Sequence, residues 1–91
     1  MSKNVIIYSS TSGGMNIAKN TNTMYSVVKT KSGKEPQVVY VDIEGPNVRE
    51  EVWSKSGKKG VYPLLFVDGN FVADFDTFSD MNEDGTLVEK L

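Results

Sequence analysis

The run from Val61 to Asp76, Val-Tyr-Pro-Leu-Leu-Phe-Val-Asp-Gly-Asn-Phe-Val-Ala-Asp-Phe-Asp, constrains the fold more than any other part of the chain. Pro63 has no N–H and holds φ near about −65°, so it fits only at the first residue of a strand, or in a tight turn or cis bond that feeds one. Leu64 to Val67 and Phe71 to Phe75 are short apolar runs. Between them Asp68-Gly69-Asn70 supplies residues that tolerate positive φ, so the segment spells a β-hairpin. Asp76 then offers a side-chain acceptor to cap a following helix.

Upstream, Val5-Ile6-Ile7-Tyr8 is a β-branched and aromatic run with the pattern of a strand buried on both faces. Ser9 to Gly14 is a loop of small residues whose four hydroxyls can cap a helix starting near Met15. Along that helix Ile17, Met24 and Val28, with Ala18, Thr21 and Tyr25 beside them, form one apolar stripe, while Lys19, Asn20, Asn22 and Lys29 face water. Gly33 and Pro36 end it. Gln37 to Ile43 reads as the second strand. Asn47 and Glu50 are spaced as a capping box for a second helix whose buried side is Val48, Val52 and Trp53. Ser56 to Gly60 ends that helix and leads into the hairpin. Thr77 to Met81 reads as a short helix, Asn82 to Gly85 as its break, and Thr86 to Leu91 as a last helical turn or two. The order is β-α-β-α-β-β-α over a single domain, residues 1–91. A right-handed crossover makes the first two strands parallel, and a mixed sheet with helices on both faces follows.

Composition removes most chemistry. The chain has no Cys and no His, so disulfides, thiolate nucleophiles, the usual zinc sites and the neutral-pH general base are all absent, and no metal site is expected. The net charge of −2, with scattered Lys and Arg, argues against a nucleic-acid surface. No apolar run approaches the ~20 residues of a spanning helix, and no signal peptide precedes the first strand, so a cytoplasmic protein is expected.

Tyr8-Ser9-Ser10-Thr11-Ser12, Val41-Asp42-Ile43, Tyr62-Pro63, Val67-Asp68-Gly69-Asn70, Ala73-Asp74-Phe75-Asp76 and Gly85-Thr86-Leu87, in this order and spacing, resemble the glutaredoxins of the thioredoxin fold. Within that group they are most similar to the SH3-binding glutamic-acid-rich-like proteins, glutaredoxin-like domains without the redox dithiol. The resemblance covers almost the whole chain and implies a central four-stranded mixed sheet flanked by helices, with Tyr62-Pro63 cis. It places Ser12 to Met15, or Gly13 to Asn16, where the redox Cys-x-x-Cys sits. A serine hydroxyl neither attacks as a thiolate nor leaves an oxidised sulfur, so oxidoreductase activity is not expected.

The resemblance also implies a vestigial cleft of Ser12, Gly13, Tyr62, Pro63, Ala73, Asp74 and Asp76. There the backbone of Tyr62 would pair with an extended peptide, and Asp76 matches the carboxylate that meets the glutathione amine. Ser10 stands where the family has Lys, and Ala73-Asp74 where it has Gly-Gly, so an anionic tripeptide would meet Asp74. These positions equally serve to shape a strand and cap a helix.

Other motifs carry little. Ser9 to Gly14 lacks the spacing of a phosphate-binding loop, and Asp80, Glu83 and Asp84 lack that of a calcium loop. Pro36, Pro46 and Pro63 are isolated, with no Pro-x-x-Pro for an SH3 domain. Ser12 as a hydrolytic nucleophile has no His, Cys or metal to activate it. Trp53 reads as core, its indole N–H needing a partner if buried; a partly exposed edge would instead be a candidate anchor for another protein. The function expected is a non-catalytic, monomeric protein-interaction or adaptor module with an unidentified protein partner and no cofactor. The alternative is a weak binder of glutathione or a short extended peptide at the cleft.

Overall fold

The structure, a computed structural model, describes residues 4–11, 14–57 and 61–91. The elements are β1 (Val5–Ser9), α1 (Met15–Ser32), β2 (Gln37–Tyr40), α2 (Val41–Glu44), α3 (Pro46–Ser56), β3 (Leu64–Val67), β4 (Asn70–Asp74), α4 (Phe75–Asp84) and α5 (Leu87–Lys90). The strands form one mixed sheet in the order β2-β1-β3-β4. β1 runs parallel to β2, across the α1 crossover, and antiparallel to β3. β3 and β4 are the expected hairpin.

Side chains alternate across the sheet, so each strand feeds two cores. Ile7 and Leu65 face α1, α4 and α5, where they meet Met24, Val28, Ala73, Phe78 and Leu87. Ile6, Tyr8, Leu64 and Phe66 face the other way, onto Val41 and Val52 of α2 and α3. Of the predicted stripe on α1, Thr21, Met24 and Val28 are buried and Ile17 and Tyr25 half-buried, while Ala18 is exposed.

Five boundaries differ from the sequence reading; one is α4, which runs through Asn82–Asp84, where a break was expected, and stops only at Gly85, φ 83°. The second strand stops at Tyr40, because Val41–Glu44 is a helical turn closed by the Gly45 amide donating to the Val41 carbonyl, 3.3 Å. The Asn47/Glu50 capping box does not form: Pro46, with φ preset and no N–H to satisfy, takes the first position of α3 and moves the boundary back to Gly45. At α1 the N-cap is Gly14, at φ 81°, and no side-chain cap is made. In the hairpin, Asp68 (φ 52°) and Gly69 (φ 82°) are a two-residue turn with both φ positive, so Asn70 already belongs to β4 and pairs with Val67. Leu65 pairs with Ala73 and Phe66 with Phe71, which leaves Val72 as an extra residue that bends β4.

The loop after β1 is held from across the sheet end by Asp42 in α2. Its Oδ1 and Oδ2 accept from the Thr11 amide at 3.1 and 3.2 Å, and Oδ2 also accepts from the Thr11 hydroxyl. The Thr11 hydroxyl bond, foremost among these, holds the Asp42 pKa below its ordinary value. A carboxyl depressed in the folded state adds stability that is present above its unfolded pKa and is lost as the pH falls through the folded one. Asp84, which accepts from the Thr86 hydroxyl and amide, behaves in the same sense. Asp42→Asn is therefore expected to lower the urea midpoint at neutral pH and to flatten its decline in acid. The check is a pair of urea titrations, at neutral pH and near about pH 3; an unchanged acid dependence would show that Asp42 is not held this way.

Candidate functional site

Pro63 opens the hairpin that organises the sheet, and the Tyr62–Pro63 bond is cis. Pro63 itself is buried, so the chain turns beneath the surface and leaves Val61 and Tyr62 above it. Tyr62 is half-buried and fixed from α3: the Trp53 indole N–H donates to its hydroxyl at 2.9 Å. This meets the requirement set by the sequence, a partner for Trp53, and the Arg49 guanidinium lies 5.3 Å from the Trp53 ring centroid on the same helix.

Directly opposite, Asp74 is the last residue of β4, paired with Leu64, and is also the N-cap of α4. Its Oδ1 accepts from the Thr77 amide at 2.8 Å. The expected cap, Asp76, instead stands in the first turn of α4, exposed, where its charge complements the helix dipole. The two aspartates thus exchange roles: the one read as a bare charge in the cleft caps a helix, and the one read as the cap is the freer carboxylate.

Val61, Tyr62, Asp74, Phe75, Asp76 and Asn20 of α1 line one depression of about 130 Å³. Of the residues expected in the cleft, Tyr62, Asp74 and Asp76 come together there. Pro63 and Ala73, 1% exposed, lie buried beneath and shape it from below. Ser12 and Gly13 lie outside the described residues. Asn20, Val61 and Phe75 were missed. Asn20 reads locally as a solvent-facing polar residue on α1, and only the packing of α1 against the sheet brings it beside β4. Among the described residues no three His, Cys, Asp or Glu side chains gather to hold a metal ion, and no helix is long and apolar enough to cross a membrane.

The depression is narrow and its charged groups are carboxylates. Such a site can present main chain to an extended segment and a negative charge to a donor; it offers an anion no cation among its lining residues.

No protein-family profile and no curated protein matches the sequence. Solved structures do match in shape. An actin interacting protein Aip5 of C. albicans superimposes with a TM-score of 0.78 at 18% identity, over 98% of this chain and 88% of that one. A dithiolic glutaredoxin, 2-C-Grx1 of Trypanosoma brucei brucei, gives 0.70 at 20% identity, over 97% and 86%. A wild-type actin interacting protein 5 gives 0.69 at 23%, over 98% and 92%. At these identities the likeness speaks for the fold: the chain has the thioredoxin-like, glutaredoxin-type α/β fold that its motif order implied.

Proposed function

We propose that the chain is a non-catalytic, cytoplasmic protein-interaction module that uses a redox-enzyme fold for binding. The observation that carries this reading is the glutaredoxin-type scaffold, with its Tyr62–Pro63 turn and adjoining depression, in a sequence of 91 residues without a cysteine. Thiol–disulfide exchange needs a thiolate to attack and a sulfur to be oxidised, and the chain supplies neither. The likeness to the SH3-binding glutamic-acid-rich-like proteins supports the same reading. So do the two neighbours described as actin interacting proteins, which make actin the first partner to try.

The competing reading is retained binding of glutathione. Asp74 disfavours it, because glutathione carries net negative charge and a partly enclosed site screens that repulsion less than water does. Reduced glutathione, titrated while backbone amide shifts are recorded, is expected to bind no tighter than about 1 mM, roughly −4 kcal/mol. A micromolar dissociation constant with shifts at Tyr62 and Asp76 would replace the protein-interaction reading with that of a glutathione carrier.

A further inference from the structure

On the other side of the α1 N-terminus, toward β2, lies a second and larger cavity of about 300 Å³, at the lower end of the ~300–1,000 Å³ usual for small-molecule sites. Its described polar lining is the hydroxyls of Ser9, Ser10, Thr11, Thr21 and Tyr40 and the amide of Asn22; among the described lining residues none carries a charge. Gly14 and Ala18, the two remaining residues, are small and leave the space open.

The hydrogen bonds fix which way these hydroxyls point their protons. Thr21 Oγ1 donates to the Ile17 carbonyl at 2.7 Å, so in its 2.7 Å contact with Ser9 Oγ the Ser9 hydroxyl must be the donor. Both residues are buried, Ser9 at 1% and Thr21 at 5% exposure, so this chain of bonds is a fixed floor. Thr11 likewise gives its proton to Asp42. Ser9 and Thr21 thus satisfy each other, Thr11 Oγ1 is left as an acceptor, and Ser10, Asn22 and Tyr40 carry groups that both donate and accept. A phosphate or carboxylate would find no cationic side chain among the described lining residues and would meet the Asp42 carboxylate behind Thr11. A metal or ammonium ion would find no carboxylate among the described lining residues, since Asp42 is engaged by Thr11. Tyr40, 37% exposed, adds an aromatic wall at the rim.

We propose that this cavity binds a neutral polyhydroxylated ligand of monosaccharide size. Its hydroxyls donate to Thr11 and exchange bonds with Asn22, and its C–H face lies against Tyr40, above the closed Ser9–Thr21 floor. The site is separate from the depression at Tyr62 and does not depend on the protein-interaction reading.

The test titrates the whole chain with D-glucose, D-ribose and inorganic phosphate, one at a time, and follows backbone amide shifts. At least one sugar is expected to give saturable shifts at Ser9, Thr11, Ala18, Asn22 and Tyr40, with none there from phosphate. Tyr40→Ala and Asn22→Ala, both at exposed positions, should each weaken that sugar by at least about threefold while leaving the shifts of the hairpin and α4 unchanged. Absence of saturation with both sugars, shifts indifferent to the two substitutions, or phosphate binding at these amides would each overturn the proposal.

Discussion

Phe78→Ala is expected to lower the unfolding free energy by about 3–5 kcal/mol, a large part of the ~5–15 kcal/mol that holds a domain together. Phe78 is 2% exposed and is the side chain by which α4 enters the core formed by Ile7, Met24, Val28 and Leu65. It also stacks on Phe75, with ring centroids 6.0 Å apart. Truncation removes the transfer energy of the ring and leaves a cavity that the sheet on one side and α1 on the other cannot both close. At ~4–8 °C per kcal/mol for a domain of this size, the melting temperature should fall by tens of degrees. Urea titration of the variant measures the loss directly, and a loss below about 1 kcal/mol would mean that α4 does not pack on the sheet as described.

Phe66→Ala is expected to cost a similar ~3–5 kcal/mol from the opposite face of the sheet. Phe66 is 2% exposed and sits at the centre of an aromatic row, edge-on to Tyr8 at 4.9 Å and to Phe71 at 5.7 Å. These contacts join β1, β3 and β4 beneath α3, so both edge-to-face pairs go with the ring, each worth about 0.5–1.5 kcal/mol beyond burial. Phe66→Leu, which keeps most of the volume, separates the two contributions: it should retain the burial term and lose the pair terms. A leucine variant as stable as the parent would mean that the row contributes nothing beyond burial.

The hairpin and the parallel crossover were legible because their signals are local. Asp68-Gly69 can take two positive φ values in succession, and a strand-helix-strand unit has one favoured hand. The end of β2 was not legible, since Val41-Asp42-Ile43 continues the β-branched pattern of Gln37 to Tyr40. The turn that replaces the strand is closed by the Gly45 amide on the Val41 carbonyl, and Asp42 within it accepts from the Thr11 amide, 31 residues away, a partner that the local pattern does not show. The choice between Asp74 and Asp76 as helix cap had the same character. Both offer the same carboxylate two residues apart, and the pairing of Asp74 with Leu64, which fixes where β4 stops, decides between them. In the depression, Tyr62, Asp74 and Asp76 could be named from the motif order. Asn20 could not, because nothing in its own neighbourhood separates it from the solvent-facing residues of α1.

The proposed binding role predicts failure in the one assay that the glutaredoxin-type scaffold suggests. Glutathione-coupled reduction of a small disulfide substrate, run against a buffer blank over a range of protein concentrations, is expected to show no rate above the blank at any of them, because no thiolate is available to open the disulfide. Turnover that rises in proportion to protein concentration would contradict the reading and require a nucleophile other than sulfur.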